Sequence, residues 1–153
     1  MEDALGLDTP LGPVTLRARG GQLVGVDWQR GPAPHNPPEV LHDAASQLTA
    51  YFAGTLTRFD IPLALGPGAF QQRFQAALLD IPFGDTLTYG QIAATLGVSA
   101  QAAGQACGAN RLPIFVPCHR VLGANSLGGF SAKGGVDTKV ALLKLEGAAG
   151  LLI

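Results

Sequence analysis

A chain of 153 residues and 15.7 kDa is one ordinary domain or two small ones, long enough to build a core without disulfides or metals. With 47% hydrophobic and only 14% charged residues, against about 25% charged in a typical soluble domain, intrinsic disorder is excluded; the 21 glycines and 11 prolines belong to turns. Net charge is −1, but residues up to Gly68 carry four arginines against seven acids and the remainder carries six bases against four acids, so only the second half, at net +2, favours phosphate partners.

The N-terminal Met1-Glu2-Asp3-Ala4-Leu5-Gly6 is acidic where a leader is basic, and no stretch reaches 18 uninterrupted apolar residues; a soluble, cytoplasmic protein is expected. Val14-Thr15-Leu16-Arg17-Ala18 alternates, Gly20-Gly21 supplies a turn, and Leu23 to Trp28 follows as a second extended run, together a β-hairpin. The proline-rich loop from Gly31 to Pro38 precedes a helix from Glu39 to about Phe52, with Val40, Leu41, Ala44, Ala45, Leu48 and Tyr51 or Phe52 on one face. Arg58 to Leu63 reads as a short strand, and Leu65-Gly66-Pro67-Gly68 as a linker. Phe70, Phe74, Ala77 and Leu78 then recur at helical spacing until Ile81-Pro82-Phe83-Gly84. Thr88 caps a helix from Tyr89 to Leu96, Gly97-Val98 turns, and Ser99 caps a second helix from Ala100 to Ala109, a helix-turn-helix pattern. Such a pair alone is weak evidence for DNA binding, because many short helices meet at a glycine. Ile114-Phe115-Val116 reads as a strand running into Pro117-Cys118-His119-Arg120, and a Gly-rich loop from Gly123 to Gly135 leads to a last helix, Val136 to Glu146.

The two cysteines, Cys107 and Cys118, lack the CxxC spacing of a redox or zinc motif. Cys118 is followed by His119 and Arg120, and cations beside a thiol favour the nucleophilic thiolate. Neighbours on an extended strand face opposite ways, so His119 is expected to reach Cys118 through a bend or a bridging water, with Glu146 available to orient the imidazole. Cys107, in an Ala/Gly helix without a basic neighbour, reads as a small buried hydrophobe.

Pro117-Cys118-His119-Arg120-Val121 resembles the active-site signature of the O6-alkylguanine-DNA alkyltransferases, the methylated-DNA–protein-cysteine methyltransferases. Further blocks agree in order: Pro82-Phe83-Gly84 with Thr88-Tyr89-Gly90-Gln91-Ile92-Ala93, then Gly104-Gln105-Ala106 with Asn110, Gly129-Phe130-Ser131, and Leu142-Leu143-Lys144-Leu145-Glu146-Gly147. The resemblance implies an α/β fold in which a small N-terminal α/β, ribonuclease H-like domain (1–68) is packed on a mainly helical C-terminal winged helix-turn-helix domain (69–153). The latter enters the minor groove and flips the damaged guanine out. It further implies that Cys118 accepts the alkyl group, His119 acts as base through water, Glu146 polarises His119, Asn110 braces the active-site turn and Tyr89 assists the leaving guanine. Val121 and the Ser131 backbone line the base pocket. Gln101 stands where the family usually carries an intruding arginine, and Ser99, Ala102 and Arg120 are the remaining substrate or DNA contacts. The implied partner is double-stranded DNA carrying O6-alkylguanine, with O4-alkylthymine as an alternative lesion. The resemblance also implies a monomer that works away from membranes and without a metal or cofactor. A thioether resists hydrolysis, so each transfer consumes one protein.

Two other functions stay in view. A protein of the same fold that binds alkylated bases without repairing them has no use for Cys118. A cysteine hydrolase or alkyl-sensing regulator is separated from a transferase by turnover. A structural zinc site in the first domain is not expected, since His35 and His42 have no cysteine beside them there.

Overall fold

The computed structural model describes residues 2–128 and 135–148. The chain divides into two compact units, 1–64 and 65–153.

The first unit is a three-stranded antiparallel sheet in the order β1 (Asp3–Thr9), β2 (Gly12–Arg19), β3 (Gln22–Asp27), covered by α1 (Glu39–Phe52). The alternation that marks β2 is visible in its burial, with Val14, Leu16 and Ala18 facing the core. Gly20 and Gly21, at φ 58° and 79°, provide the two left-handed residues of a tight hairpin turn. β1 is an addition to the expected hairpin: it has no fully buried residue, so its apolar signal is weak, and its register (Leu5 opposite Leu16) is imposed by β2. The expected strand from Arg58 to Leu63 contracts to one parallel bridge, Leu23 with Leu63. Pro62 and the preceding residues leave the sheet edge little further to pair with. Val40, Leu41, Ala44, Leu48 and Tyr51 form the buried stripe of α1.

The second unit carries α2 (Ala69–Leu79), β4 (Leu87–Thr88), α3 (Tyr89–Leu96), α4 (Ala100–Gly108), a one-turn 3₁₀ helix (Cys118–Arg120), β5 (Val121–Leu122) and α5 (Val136–Glu146). β4 and β5 form a short parallel pair, Leu87 with Val121 and Thr88 with Leu122. Thr88 and Gln91 make a reciprocal capping box at the start of α3. Gly97, at φ 72°, ends that helix in the left-handed conformation, and Ser99 Oγ accepts from Ala102 N at 3.1 Å to start α4. These three signals create the helix-turn-helix and hold the start of α4 in solvent. Among the described residues, no helix is long and apolar enough to cross a membrane.

Candidate active site

The segment before the thiol is not a strand. Residues 112–116 form a buried turn, closed by Val116 N donating to Leu112 O at 2.8 Å. Ile114 takes φ 74°, a conformation costly for a β-branched side chain and tolerated only where the surroundings dictate it. An apolar run of this length looks the same in a buried strand and a buried turn. What decides is the partner for its backbone, and that partner is one side chain. Asn110, just past α4, accepts from Leu112 N at 3.1 Å and donates from Nδ2 to Val116 O at 2.9 Å. It thereby satisfies groups that a neighbouring strand would otherwise pair.

The chain then enters the 3₁₀ turn, where Cys118, His119 and Arg120 are all buried. α5 comes to rest against this turn and delivers Glu146 from its last residue. His119 Nε2 lies 2.7 Å from Glu146 Oε2. Arg120 grips the same carboxylate twice, Nε to Oε1 at 2.8 Å and Nη2 to Oε2 at 3.1 Å, while Nη1 donates to Ile81 O at 2.7 Å. The guanidinium also sits 5.9 Å from the Phe83 ring centroid. The expectation that Arg120 contacts DNA or substrate is therefore corrected: the residue is 7% exposed and its fork is engaged inside the protein by the planar carboxylate it fits.

Burial is the main influence holding His119 below its ordinary pKa. Glu146 opposes this, while Arg120 and Lys139 push the same way as burial. The imidazole is thus neutral, with Nε2–H donating to Glu146. Among the described residues Nδ1 is buried without a hydrogen-bond partner, an uncommon state for a ring nitrogen. Burial likewise raises the Cys118 thiol, against a hydrogen bond from Asn110 and the charge of Lys139, which favour the thiolate. At rest the site holds a neutral thiol and a neutral base.

Lys139 is the site residue that sequence reasoning missed. It is fully buried on α5, donates from Nζ to Val121 O at 2.6 Å, and lies 5.7 Å from the Tyr89 ring centroid. Gly128, at φ 73°, closes over both: a side chain there would meet the Tyr89 hydroxyl at 3.2 Å and Lys139 Nζ at 3.3 Å. Tyr89, the first residue of α3, is pushed up to about 12, mainly by burial, and so stays protonated. Cys107 is buried and also pushed up to about 12. A signal for Lys139 existed in the sequence. Lys139, Leu142, Leu143 and Glu146 make one buried stripe of α5, and charged residues on the core face of a helix are rare without a task.

The remaining expected residues separate by exposure. Val121 is fully buried in β5. Ser99 and Gln101 are exposed at the start of α4, with Ala102 half-buried beside them, and Ser131 lies outside the described residues. Among the described residues no group of three His, Cys, Asp or Glu side chains is arranged to hold a metal ion.

A small sheet domain followed by a helix-turn-helix unit with a buried Cys-His-Glu cluster corresponds to two consecutive family models. Residues 6–65 match the 6-O-methylguanine DNA methyltransferase ribonuclease-like domain, and residues 69–148 match the DNA binding domain of the same proteins. The chain belongs to the 6-O-methylguanine DNA methyltransferase family. It is 44% identical over 149 residues to a methylated-DNA–protein-cysteine methyltransferase of Mycobacterium tuberculosis, covering 92% of this chain and 89% of that protein. It is 40% identical over 151 residues to one from Methanosarcina acetivorans, covering 92% and 96%. Among solved structures, the M. tuberculosis O6-methylguanine methyltransferase superposes with TM-score 0.84 at 42% identity, covering 96% of this chain and 93% of that one. The M. tuberculosis OGT in complex with DNA gives 0.81 at 43%, covering 94% and 92%.

Proposed function

We propose that this protein repairs DNA by transferring the alkyl group of O6-alkylguanine, irreversibly and once per molecule, to Cys118. The observation that carries this reading is the unpartnered Nδ1 of His119, buried one residue from the thiol while Nε2 is committed to Glu146. Cys118 loses its proton through one bridging water to Nδ1. The thiolate attacks the alkyl carbon, the carbon–sulfur bond forms and the carbon–O6 bond breaks. Glu146 stabilises the imidazolium that results, as an oriented carboxylate does for any histidine base. Tyr89, protonated and beside the Lys139 ammonium, donates to the departing guanine, whose negative charge the lysine also offsets. Arg120 acts on Glu146 rather than on DNA.

The division of labour follows. Residues 69–153 hold the acceptor and the DNA-binding helices, with Ser99, Gln101 and Ala102 facing the duplex and Val121 and Ser131 at the base pocket, while residues 1–68 form the other domain, whose sheet and α1 take no part in the bond-making steps. A cytoplasmic location goes with this reading, because the duplex substrate is there and its thiols stay reduced. The test is peptide mapping after exposure to duplex DNA carrying labelled O6-methylguanine. One methyl group on Cys118, none on Cys107 and none on Cys118→Ala is the expected result. Label on Cys107, or repeated turnover with release of the methyl group, would overturn it.

A further inference from the structure

Gln75 has none of its surface exposed and takes no part in the steps above. It belongs to the buried stripe of α2 with Gln71, Phe74 and Leu78, and a buried amide costs free energy unless both of its ends are bonded. Both are. Gly66 N donates to Gln75 Oε1 at 2.7 Å, and Gln75 Nε2 donates to Asn110 Oδ1 at 3.1 Å.

The direction of this chain is dictated by its backbone ends. A backbone N–H can only donate, so the Gln75 oxygen must face Gly66 and its NH₂ must face Asn110. Leu112 N–H also only donates and Val116 C=O only accepts. The Asn110 oxygen therefore faces Gln75 and Leu112, leaving its NH₂ for Val116 O and for the Cys118 thiolate, whose charged form Asn110 favours. The alternative amide orientation would aim an oxygen at a developing thiolate. Two donors converge on Asn110 Oδ1 against that orientation, and Gln75 supplies one of them.

We propose that Gln75 is a positioning residue for alkyl transfer, locking the Asn110 amide so that its NH₂ faces the Cys118 sulfur. The linker glycine, Gly66, is thereby the first member of a hydrogen-bonded series that ends on the nucleophile, each bond polarising the next. The proposal rests on Cys118 as alkyl acceptor, but its test does not depend on DNA.

The test is the rate of Cys118 modification by iodoacetamide as a function of pH, run in a Cys107→Ala background, with transfer from O6-benzylguanine measured beside it. Gln75→Leu is expected to move the thiol titration to higher pH and slow modification near neutrality by about threefold to tenfold, with the high-pH plateau retained. The same substitution on top of Asn110→Ala should add no further shift, because the effect travels through Asn110. A residue that only fills space would lower stability and leave the titration in place. Gln75→Met, unbranched and of similar length, is the parallel variant should the leucine variant not fold. On the wild-type protein, the side-chain NH₂ resonances of Gln75 and Asn110 should move together as Cys118 titrates. A profile for the folded variant that superimposes on wild type, an undiminished shift in the Asn110→Ala background, or a Gln75 resonance indifferent to the thiol would each overturn the proposal. Failure of the repair reading looks different: the iodoacetamide profiles shift as expected while alkylated substrates leave Cys118 unmodified.

Discussion

Arg120 and Glu146 show how one ion pair sets the state of a neighbouring base. The carboxylate accepts from Arg120 at both oxygens and from His119 at one, so its charge is already compensated and it has little need to draw a proton onto the imidazole. Replacing Arg120 by methionine removes a positive neighbour from His119 and takes the guanidinium away from the buried Glu146 carboxylate. Both changes raise the histidine pKa. Towards acid pH the base is then occupied by a proton over a wider range, and the rate of alkyl transfer should fall there severalfold, recovering as pH rises. Single-turnover rates between about pH 5 and 9 check this: in wild type the acid limb lies below the ordinary histidine range because burial depresses His119, and in the variant it moves to higher pH. Stability should fall as well, by about 3–5 kcal/mol, the typical cost of breaking one side of a buried pair. Cys118, His119 and Glu146 were legible by type and motif. That Arg120 turns inward was not, because a basic residue beside a thiol in sequence has no stated direction until a carboxylate is brought to it.

At the scale of elements, the helices were readable almost to the residue, since α1, α3 and α5 begin and end at capping or breaking residues. Thr88, Gly97, Ser99 and Gly147 act locally, through hydrogen bonds and φ angles within a few residues. The strand expected at Ile114-Phe115-Val116 was misread because its fate depends on Asn110, whose side chain stands in for a neighbouring strand. Polar residues on buried stripes, Gln75 in α2 and Lys139 in α5, were the remaining unread signal. α4 presents an uncharged surface, with Gln101 exposed at its second position. If this residue holds the gap left by a flipped guanine, an arginine there can also stack and bind phosphate. Gln101→Arg should then speed transfer from duplex DNA severalfold and leave transfer from free O6-benzylguanine unchanged. Single-turnover rates on both substrates decide; an equal effect on both would place Gln101 in the chemistry instead.

Across the whole molecule, the buried site makes stability depend on pH. His119 binds its proton less readily in the folded chain than in the unfolded one. Below about pH 6.5 the unfolded chain therefore gains a proton that the native state refuses, and stability present above that pH is lost as pH falls towards the folded-state value. The slope is at most about 1.4 kcal/mol per pH unit for one proton. Urea unfolding at several pH values, compared with His119→Gln, should show the wild-type slope flattened in the variant. Charge across the second unit sets its grip on DNA. Its described exposed cations are Arg73, Arg111 and Lys144, so log–log salt dependence on duplex DNA should be shallow, with a slope of about −3 or less, and close to zero for the free base. A steep slope would mean that phosphates are met by more than these side chains.

From the sequence alone came the two-part organisation, the helix-turn-helix, the family resemblance and the choice of Cys118 as the proposed acceptor, because caps, turns and contiguous motifs are short-range and need no knowledge of what lies opposite. Tertiary structure alone decided that Arg120 faces Glu146, that Lys139 lies over Tyr89, and that Gln75 donates to Asn110. Each of those contacts joins residues at least 26 positions apart, and the protonation states at the site depend on burial and on neighbours that only the folded chain assembles.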